Sequence, residues 1–556
     1  MPSGPVRQRS SRACIACRQR KRKCDGKLPC NTCTGYGYDC HYNSTQGVHA
    51  NRKRSLAPED VSSPQAPKAA RVSSESQGPE QNAASTPSGI LDSNKSRYVG
   101  RYSCVAFPLS VGLELQATKP PRLHSFAYHT GIRKEPGSSS RFQLAGRISW
   151  NTIRSQLDFF FTMIHPIFGF LDKDHLYERC EKHWYGQPQS PAFEAIISGL
   201  AALTSLFNGS LGQEEEMWLT LHAKETLEDP VVGRFPYIDQ VAAWILRTIY
   251  IRATTRPHVA WICSCTMMHL VEATGLHQAP QFVMLATSRG VEGSTQEMSD
   301  IVKRTAWVAH CLHVVIAYEY GRSVMDLGFA TQESLPFSTR EGDFTPQLCS
   351  LVQAIPLSSK ATDPAVTIQE LSCALRDLTE TSVNHDFLLL VRADLTFSVY
   401  RRLRLLKPNL RQSLLDEVIS TGMSALPAAR TLTSQNQPWW NVISTVFQFV
   451  CVLLVIDTHS SVANLSEAMD ALEVIVDHLN THLANEALTT ARDLVRASLD
   501  KRRKGIEILE RIAGTTHDAV ADSEILQLQD LEFSGPFSYL QRSSDMEYLL
   551  DMDFFN

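Results

Sequence analysis

The chain has 556 residues, 43% of them hydrophobic, and its 54 lysines and arginines against 58 aspartates and glutamates give a formal net charge of −4. That length exceeds one ordinary domain and predicts two to four, with enough apolar residues for a sizeable core. The near-neutral sum conceals a polarity, basic at the N-terminus and acidic at the C-terminus, which says more about partners than the total does.

Residues 1–13 form a basic, Ser-containing arm with Arg7, Arg9 and Arg12. Six cysteines follow, Cys14, Cys17, Cys24, Cys30, Cys33 and Cys40, in the pattern C-x2-C-x6-C-x5-C-x2-C-x6-C. Zinc takes four ligands in a tetrahedron, with thiolate sulfurs about 2.3 Å away. One zinc would use four cysteines and strand two, whereas two zincs need eight sulfur contacts, so two thiolates must bridge. The internal repeat, C-x2-C-x6-C taken twice, suits the second arrangement. A disulfide framework fits a short secreted chain, and this one is long and begins without an apolar signal region. Between Cys17 and Cys24 the run Arg18-Gln19-Arg20-Lys21-Arg22-Lys23 is almost unbroken positive charge. Metal-pinned thiols around a basic turn make a surface for a polyanion, and the expected partner is double-stranded DNA. Cations on phosphates supply salt-dependent affinity, and an Arg or Lys on a guanine edge supplies discrimination.

This stretch resembles the fungal binuclear zinc cluster, the Zn2Cys6 DNA-binding domain, at every cysteine. The resemblance implies two Zn2+ per chain with Cys14 and Cys30 bridging. One metal takes Cys14, Cys17, Cys24 and Cys30, and the other Cys14, Cys30, Cys33 and Cys40. Pro29 matches the proline that the family keeps in the loop between its halves. The family reads a CGG-type half-site from the end of its first helix. Arg20 and Lys21 occupy the matching positions, and Arg18, Arg22 and Lys23 are placed for phosphates or supporting contacts.

Residues 43–95 shift to Ser, Pro, Gln, Ala and Gly and read as a disordered linker that cannot bury enough surface to fold. Within it Arg52-Lys53-Arg54 is a candidate nuclear import signal, the alternatives being extra phosphate contacts or a solvated charge run. No sustained heptad repeat lies between Cys40 and residue 150, where many members of the resembled family carry a dimerising coiled coil. A homodimer built elsewhere and a monomer both stay open. Residues 96–148 are a mixed lead-in, partly extended.

Residues 149–513 read as helical, with few strand signals. Ile153, Leu157, Phe160, Phe161 and Ile164 recur near the 3.6 period before Pro166 breaks the helix. A second helix covers 192–203, and a third follows Pro257, with Trp261, Cys265, Met268 and Val271 on one face and Gly275 closing it. Further helices are expected at 301–320, 386–406, 410–426 and 439–457, and from 464 to 512 in two or more pieces. The apolar run 441–456 is shorter than a bilayer needs and is interrupted by Asn441 and Gln448, so a core helix is expected and no membrane span. Eight cysteines outside the cluster are expected to be small buried thiols rather than a second metal site.

The helical region resembles the fungal transcription factor middle homology domain, an all-α regulatory region. The matching stretches are Phe159-Phe160-Phe161 with His165-Pro166-Ile167-Phe168, then Arg256-Pro257-His258-Val259-Ala260-Trp261 with Gly275-Leu276-His277. Lys303-Arg304-Thr305-Ala306-Trp307 and Gly321-Arg322-Ser323 complete the match. No nucleophile elbow, phosphate-cradling glycine loop or zinc-protease signature occurs in the sequence, so the chain reads as no enzyme. His165, His258, His269 and His277 read as hydrogen-bonded packing residues.

Leu465, Met469, Leu472, Val476, Leu479 and Leu483 follow 4-3 spacing, either one helix packed within the bundle or a dimerisation seam. The tail, 514–556, carries Asp522, Glu524, Asp530, Glu532, Asp545, Glu547, Asp551 and Asp553 against Arg542 alone, interspersed with Leu, Ile, Met, Phe and Tyr. Acid keeps such apolar residues solvated until a partner groove buries them, which is the composition of an acidic activation tail recruiting coactivators; a helix docked on the core is the alternative. The fold class expected is mostly α: a small zinc cluster, a linker, a large all-α regulatory domain and an acidic disordered tail. The function expected is a nuclear regulator of RNA polymerase II transcription, an activator of a metabolic or secondary-metabolite gene cluster. The alternatives are a DNA-bound repressor or interaction protein, or a regulator whose helical middle senses an effector.

Overall fold

A computed structural model describes residues 13–19, 23–28, 30–36, 40–41, 89–92, 97–100, 103–104, 106–117, 144–233, 237–278, 283–287, 290–293, 300–329, 335, 341–357, 363–406 and 410–514. The chain divides into two units, Met1–Asn82 and Ala83–Asn556.

The first unit holds two short helices, α1 (Ile15–Gln19) and α2 (Asn31–Tyr36). Cys14 precedes α1 and Cys30 precedes α2, so the sequence repeat becomes a repeat of structure. Among its described residues the buried ones are Cys14, Cys17, Cys30, Cys33 and Cys40. Among the described residues no aliphatic side chain joins them. A core made of thiols offers almost no apolar area to bury, and below about 40 residues a fold of this kind needs a metal or disulfides to hold it.

The second unit opens with β1 (Gly89–Asp92) and β2 (Arg97–Gly100), followed by α3 (Phe107–Glu114), α4 (Leu144–Arg147), α5 (Trp150–Met163), α6 (Lys173–Trp184), α7 (Pro191–Asn208), α8 (Gln213–Glu228), α9 (Ile238–Thr254) and α10 (Pro257–Thr274). After β3 (Val283–Thr287) and β4 (Gly290–Gly293) come α11 (Asp300–Tyr320), α12 (Thr345–Gln353), α13 (Pro364–Glu380), α14 (Asp386–Leu405), α15 (Gln412–Ser434), α16 (Asn441–Ile456), α17 (His459–Ala463), α18 (Leu465–Leu479) and α19 (His482–Gly514). The region is all-α apart from a four-stranded sheet in the order β2-β1-β3-β4.

Local signals set many of the boundaries. Ser149, Asp172 and Ser190 accept the backbone N–H of Thr152, His175 and Phe193, capping α5, α6 and α7, and Pro191 opens α7 where its missing N–H costs nothing. Gly209 and Gly275 close α7 and α10 in the left-handed conformation, φ 60° and 76°. Helix α7 packs between α5, α8 and α9, and α11 lies against α9, α10, α12 and α14. Both are apolar nearly all round because neighbours cover every side. Among the described residues α7 is also the one helix long and apolar enough to cross a membrane, and its burial inside this core accounts for that composition.

Several sequence expectations change. The helix expected to end at residue 426 continues through Pro427 to Ser434. Burial of Ala428, Ala429 and Leu432 beyond the proline outweighs its cost of about 3 kcal/mol. On α10 the buried positions are Ala260, Cys263, Ser264, Met267, Met268, Val271 and Thr274, so Trp261 and Cys265 sit at the edge of the face rather than at its centre. The 4-3 seam is not one continuous surface. Asn480, left-handed at φ 45°, ends α18 before Leu483, and Leu483 is 74% exposed at the start of α19. Leu472 and Val476 are buried in the core while Leu465, Met469 and Leu479 pack against it, so the seam is spent inside the bundle.

The sheet is the largest departure. β1 begins at Gly89, within the stretch read as linker, and pairs parallel with β3 in the register Gly89↔Val283, Ile90↔Met284, Leu91↔Leu285. The β1–β2 hairpin lies on the end of α10: a side chain at Gly275 would meet Tyr98 Cβ at 3.1 Å and Leu91 Cδ1 at 3.5 Å. Tyr98 also stands edge-on to His277, ring centroids 5.2 Å apart.

Candidate zinc centre and nucleic-acid interface

Each half of the cysteine unit builds the same local contact. The N–H of Cys17 donates to Cys14 Sγ at 3.3 Å, and that of Cys33 donates to Cys30 Sγ at 3.3 Å. The N–H of Cys30 donates to Cys40 Sγ at 3.2 Å, and Ile15 N–H donates to the His41 carbonyl at 2.8 Å, drawing the end of the unit back over its beginning. Asp25, a residue the sequence reading passed over, accepts the N–H groups of Lys27 and Asn31. Thr32 Oγ1 donates to the Lys23 carbonyl at 2.7 Å. These bonds fix the turn ahead of α2; the Asp-Gly pair at 25–26 was the signal for it.

The sulfurs converge. Cys14 Sγ lies 3.8 Å from Cys30 and 3.5 Å from Cys33, and Cys17 Sγ lies 3.6 Å from Cys30. No disulfide joins any of the six cysteines. A zinc tetrahedron with bonds of about 2.3 Å has sulfur–sulfur edges of about 3.8 Å, whereas a disulfide draws its sulfurs to about 2.05 Å. The spacing is that of ligands round a metal. Two quartets each have their sulfurs within 4.8 Å of one another, Cys14, Cys17, Cys24, Cys30 and Cys14, Cys30, Cys33, Cys40. They share Cys14 and Cys30, so the donor set fits two metal ions.

The thiols also differ electrostatically. Burial opposes ionisation of Cys14 and Cys30, but the N–H groups of Cys17 and Cys33 and the neighbouring thiols outweigh it and hold both below the ordinary thiol value. Burial, together with hydrogen bonds to Cys14 and Cys30, pushes Cys17 up to about 12. The two sulfurs common to both quartets are the two held below the ordinary thiol value; Cys40 also accepts a backbone N–H, from Cys30, which lowers it, but burial and the thiols of Cys14 and Cys30 raise it overall.

Arg18 on α1 and Lys23 beyond it are exposed, leaving two of the five expected DNA-contacting cations open to a partner. Arg20, Lys21 and Arg22 lie outside the described residues, as do Pro29, the import candidates Arg52, Lys53 and Arg54, and the acidic tail from residue 515.

Elsewhere the motifs of the helical region serve packing. Thr305 Oγ1 donates to the Phe170 carbonyl, Arg304 pairs with Asp343 at 2.7 Å, and Trp307 meets Phe329 edge-on. Trp261 Nε1 donates to the Ser323 carbonyl while Arg322 lies over the Trp261 ring. His165 Nε2 is bonded to the Leu171 carbonyl at 2.8 Å and His269 Nδ1 to that of Cys265 at 2.7 Å. Among the described residues no second group of metal-ligating side chains matches the cysteine unit. Cys180, Cys263, Cys311 and Cys349 are buried, and Cys104 is exposed.

Two buried polar clusters were not legible in the sequence. Glu194 on α7 holds His183 of α6 at 3.2 Å and His222 of α8 at 3.3 Å, one carboxylate oxygen to each. Asp394 on α14 accepts from Thr445 Oγ1 at 2.7 Å and Asn441 Nδ2 at 3.3 Å, both on α16. No local pattern marks either, since each joins residues of different helices.

Comparison with known proteins places two matches along the chain. The fungal Zn(2)-Cys(6) binuclear cluster domain matches residues 12–47, and the fungal specific transcription factor domain matches residues 157–378. Protein RDR1 of Saccharomyces cerevisiae is 39% identical over 95% of this chain and 96% of its own length. Transcription factor kojR of Aspergillus oryzae is 34% identical over 91% of this chain and 86% of its own. A probable transcriptional repressor of Schizosaccharomyces pombe is 26% identical over 51% of this chain and 64% of its own.

Proposed function

The chain belongs to the fungal Zn2Cys6 transcription factors, with two zinc ions as its cofactor and a helical regulatory domain, and from that premise we propose that it is a nuclear, sequence-specific regulator of RNA polymerase II transcription that reads CGG-type half-sites. The observation that carries the proposal is the pair of interlocked thiol quartets beside exposed Arg18 and Lys23. Zinc supplies cross-links in place of an apolar core. Cys14 and Cys30 hold both ions, Cys17 and Cys24 complete one site, and Cys33 and Cys40 complete the other.

Arg20 and Lys21, which follow α1 in sequence, contact guanine edges, and Arg18, Arg22 and Lys23 contact phosphates. Arg52, Lys53 and Arg54 serve import. The helical domain regulates, and the acidic tail recruits coactivators, making the protein an activator of a metabolic or secondary-metabolite gene cluster. The likeness to a probable repressor supports the second reading, a protein that holds its sites without activating.

Genome-wide occupancy of the tagged protein tests the DNA reading. Recovered sites enriched in CGG triplets are expected, and sites without them overturn it. Fusing residues 515–556 to a foreign DNA-binding domain separates the two outputs: reporter expression supports the activator, and silence favours the repressor.

A further inference from the structure

Helix α19 carries a face that outlasts its partners. Through its first half Ala484, Leu488 and Ala491 are buried, with α16 and α18 packed against the helix. At 100° per residue the same face continues through Val495, Leu499, Ile506 and Leu509, with Ile512 at its edge. There the exposures of Leu499, Ile506, Leu509 and Ile512 are 46, 54, 67 and 62%. By the same periodicity Arg496 and Arg503 border the stripe on one side, with Glu510, and Lys501 borders it on the other. Arg502, within the stripe, pairs with Asp457 at the end of α16, and Arg503 with Asp500. Residues 494–514 hold six Lys or Arg against three Asp or Glu.

We propose that this exposed stripe is the docking surface for residues 522–533 of the same chain. That segment has Ile525, Leu526, Leu528, Leu531 and Phe533 for the stripe, Asp522, Glu524, Asp530 and Glu532 for its basic borders, and no Lys or Arg of its own. Seven residues, 515–521, separate it from Gly514, within the span of ordinary connections between antiparallel helices. The exposed stripe from Leu499 to Ile512 is about 20 Å long at 1.5 Å per residue, and a segment of twelve residues is long enough to run along it. A tethered segment meets its site at millimolar effective concentration, so a weak contact suffices. A second copy is the poorer occupant. Parallel pairing sets the run Lys501–Lys504 beside itself, and like charges in register are unfavourable. The docking stands apart from whether the tail activates transcription, although it would withdraw Phe533 and its neighbours from a coactivator.

Hydrogen exchange across 499–512 in the full-length, zinc-loaded protein tests this. Exchange is expected to rise about tenfold when the chain is ended at Gly514 and equally in the variant Asp522→Asn/Glu524→Gln/Asp530→Asn/Glu532→Gln, which leaves the rest of the chain in place. A synthetic peptide of residues 515–556 is expected to restore protection to the truncated chain. Unchanged exchange in both variants overturns the docking. Protection that survives the four substitutions but is lost on removing 534–556 assigns the stripe to another part of the tail and also overturns it. So does protection that scales with protein concentration alongside a doubling of mass, the signature of a second copy. A reporter readout of the same variants bears on the activator reading separately.

Discussion

The sulfurs of Cys14 and Cys30 stand 3.8 Å apart and are the only two thiols common to both quartets. Each precedes a short helix and accepts the N–H of the cysteine three positions on. The asymmetry of roles predicts an asymmetry of losses. Cys14→Ala or Cys30→Ala leaves each metal with three protein ligands and is expected to cost both zincs, whereas Cys24→Ala is expected to retain about one. Zinc content per chain by plasma mass spectrometry distinguishes these, and equal losses from all three contradict the shared assignment.

The cations divide by what they touch. Arg20→Ala or Lys21→Ala is expected to cost about 1–3 kcal/mol of discrimination between a CGG duplex and a scrambled one. Arg18→Ala or Lys23→Ala is expected to weaken both duplexes alike and to flatten the salt dependence by about one unit of slope. Titrations at several salt concentrations measure both quantities.

Glu194 ties α6, α7 and α8 through His183 and His222. Burial opposes its charge, but hydrogen bonds and the charge of the two histidines prevail and hold it at about 2. A depressed carboxylate contributes stability above its ordinary value near 4.5 and loses it as pH falls toward 2. Glu194→Ala is expected to destabilise the helical domain by about 1–2 kcal/mol at pH 7, because two buried imidazoles lose their acceptor in a partly solvated site, read by denaturant unfolding. No measurable loss contradicts this account of the clip.

Asp394 predicts the opposite slope. Burial, then the charge of Glu319, raises it to about 7 from an ordinary value near 3.8, against the bonds from Thr445 and Asn441. The folded chain therefore binds the extra proton between those values, so stability falls as pH rises from about 4 to 7. Asp394→Asn keeps the shape and removes the titration. Its melting temperature is expected to exceed that of the parent at pH 8 and to lose the advantage at pH 5; the reverse order contradicts the assignment.

What the sequence disclosed follows the range of the interactions. Six cysteines within twenty-seven positions are a local pattern, so a metal site beside a basic run could be read from spacing, while the two ligand sets and the DNA roles came with the family resemblance. Helices such as α5, α7 and α10 announced themselves through apolar runs and period, and α10 also through Pro257 and the closing Gly275. The sheet did not, because its strands have four or five residues and β1 pairs with β3 across the many helices that separate them in sequence. Pro427 misled for the same reason: a local rule lost to tertiary burial. The 4-3 seam looked continuous because spacing cannot show that Asn480 turns the chain before Leu483. Glu194 and Asp394 are single acids among apolar neighbours, and only their partners on other helices give them a role.

The most direct measurement is zinc content paired with duplex binding on the full-length protein, before and after chelation. Two zincs per chain are predicted, with preference for a CGG duplex lost on chelation and regained when Zn2+ is returned. A protein that carries no stoichiometric zinc, or that discriminates between duplexes equally well without it, contradicts the account.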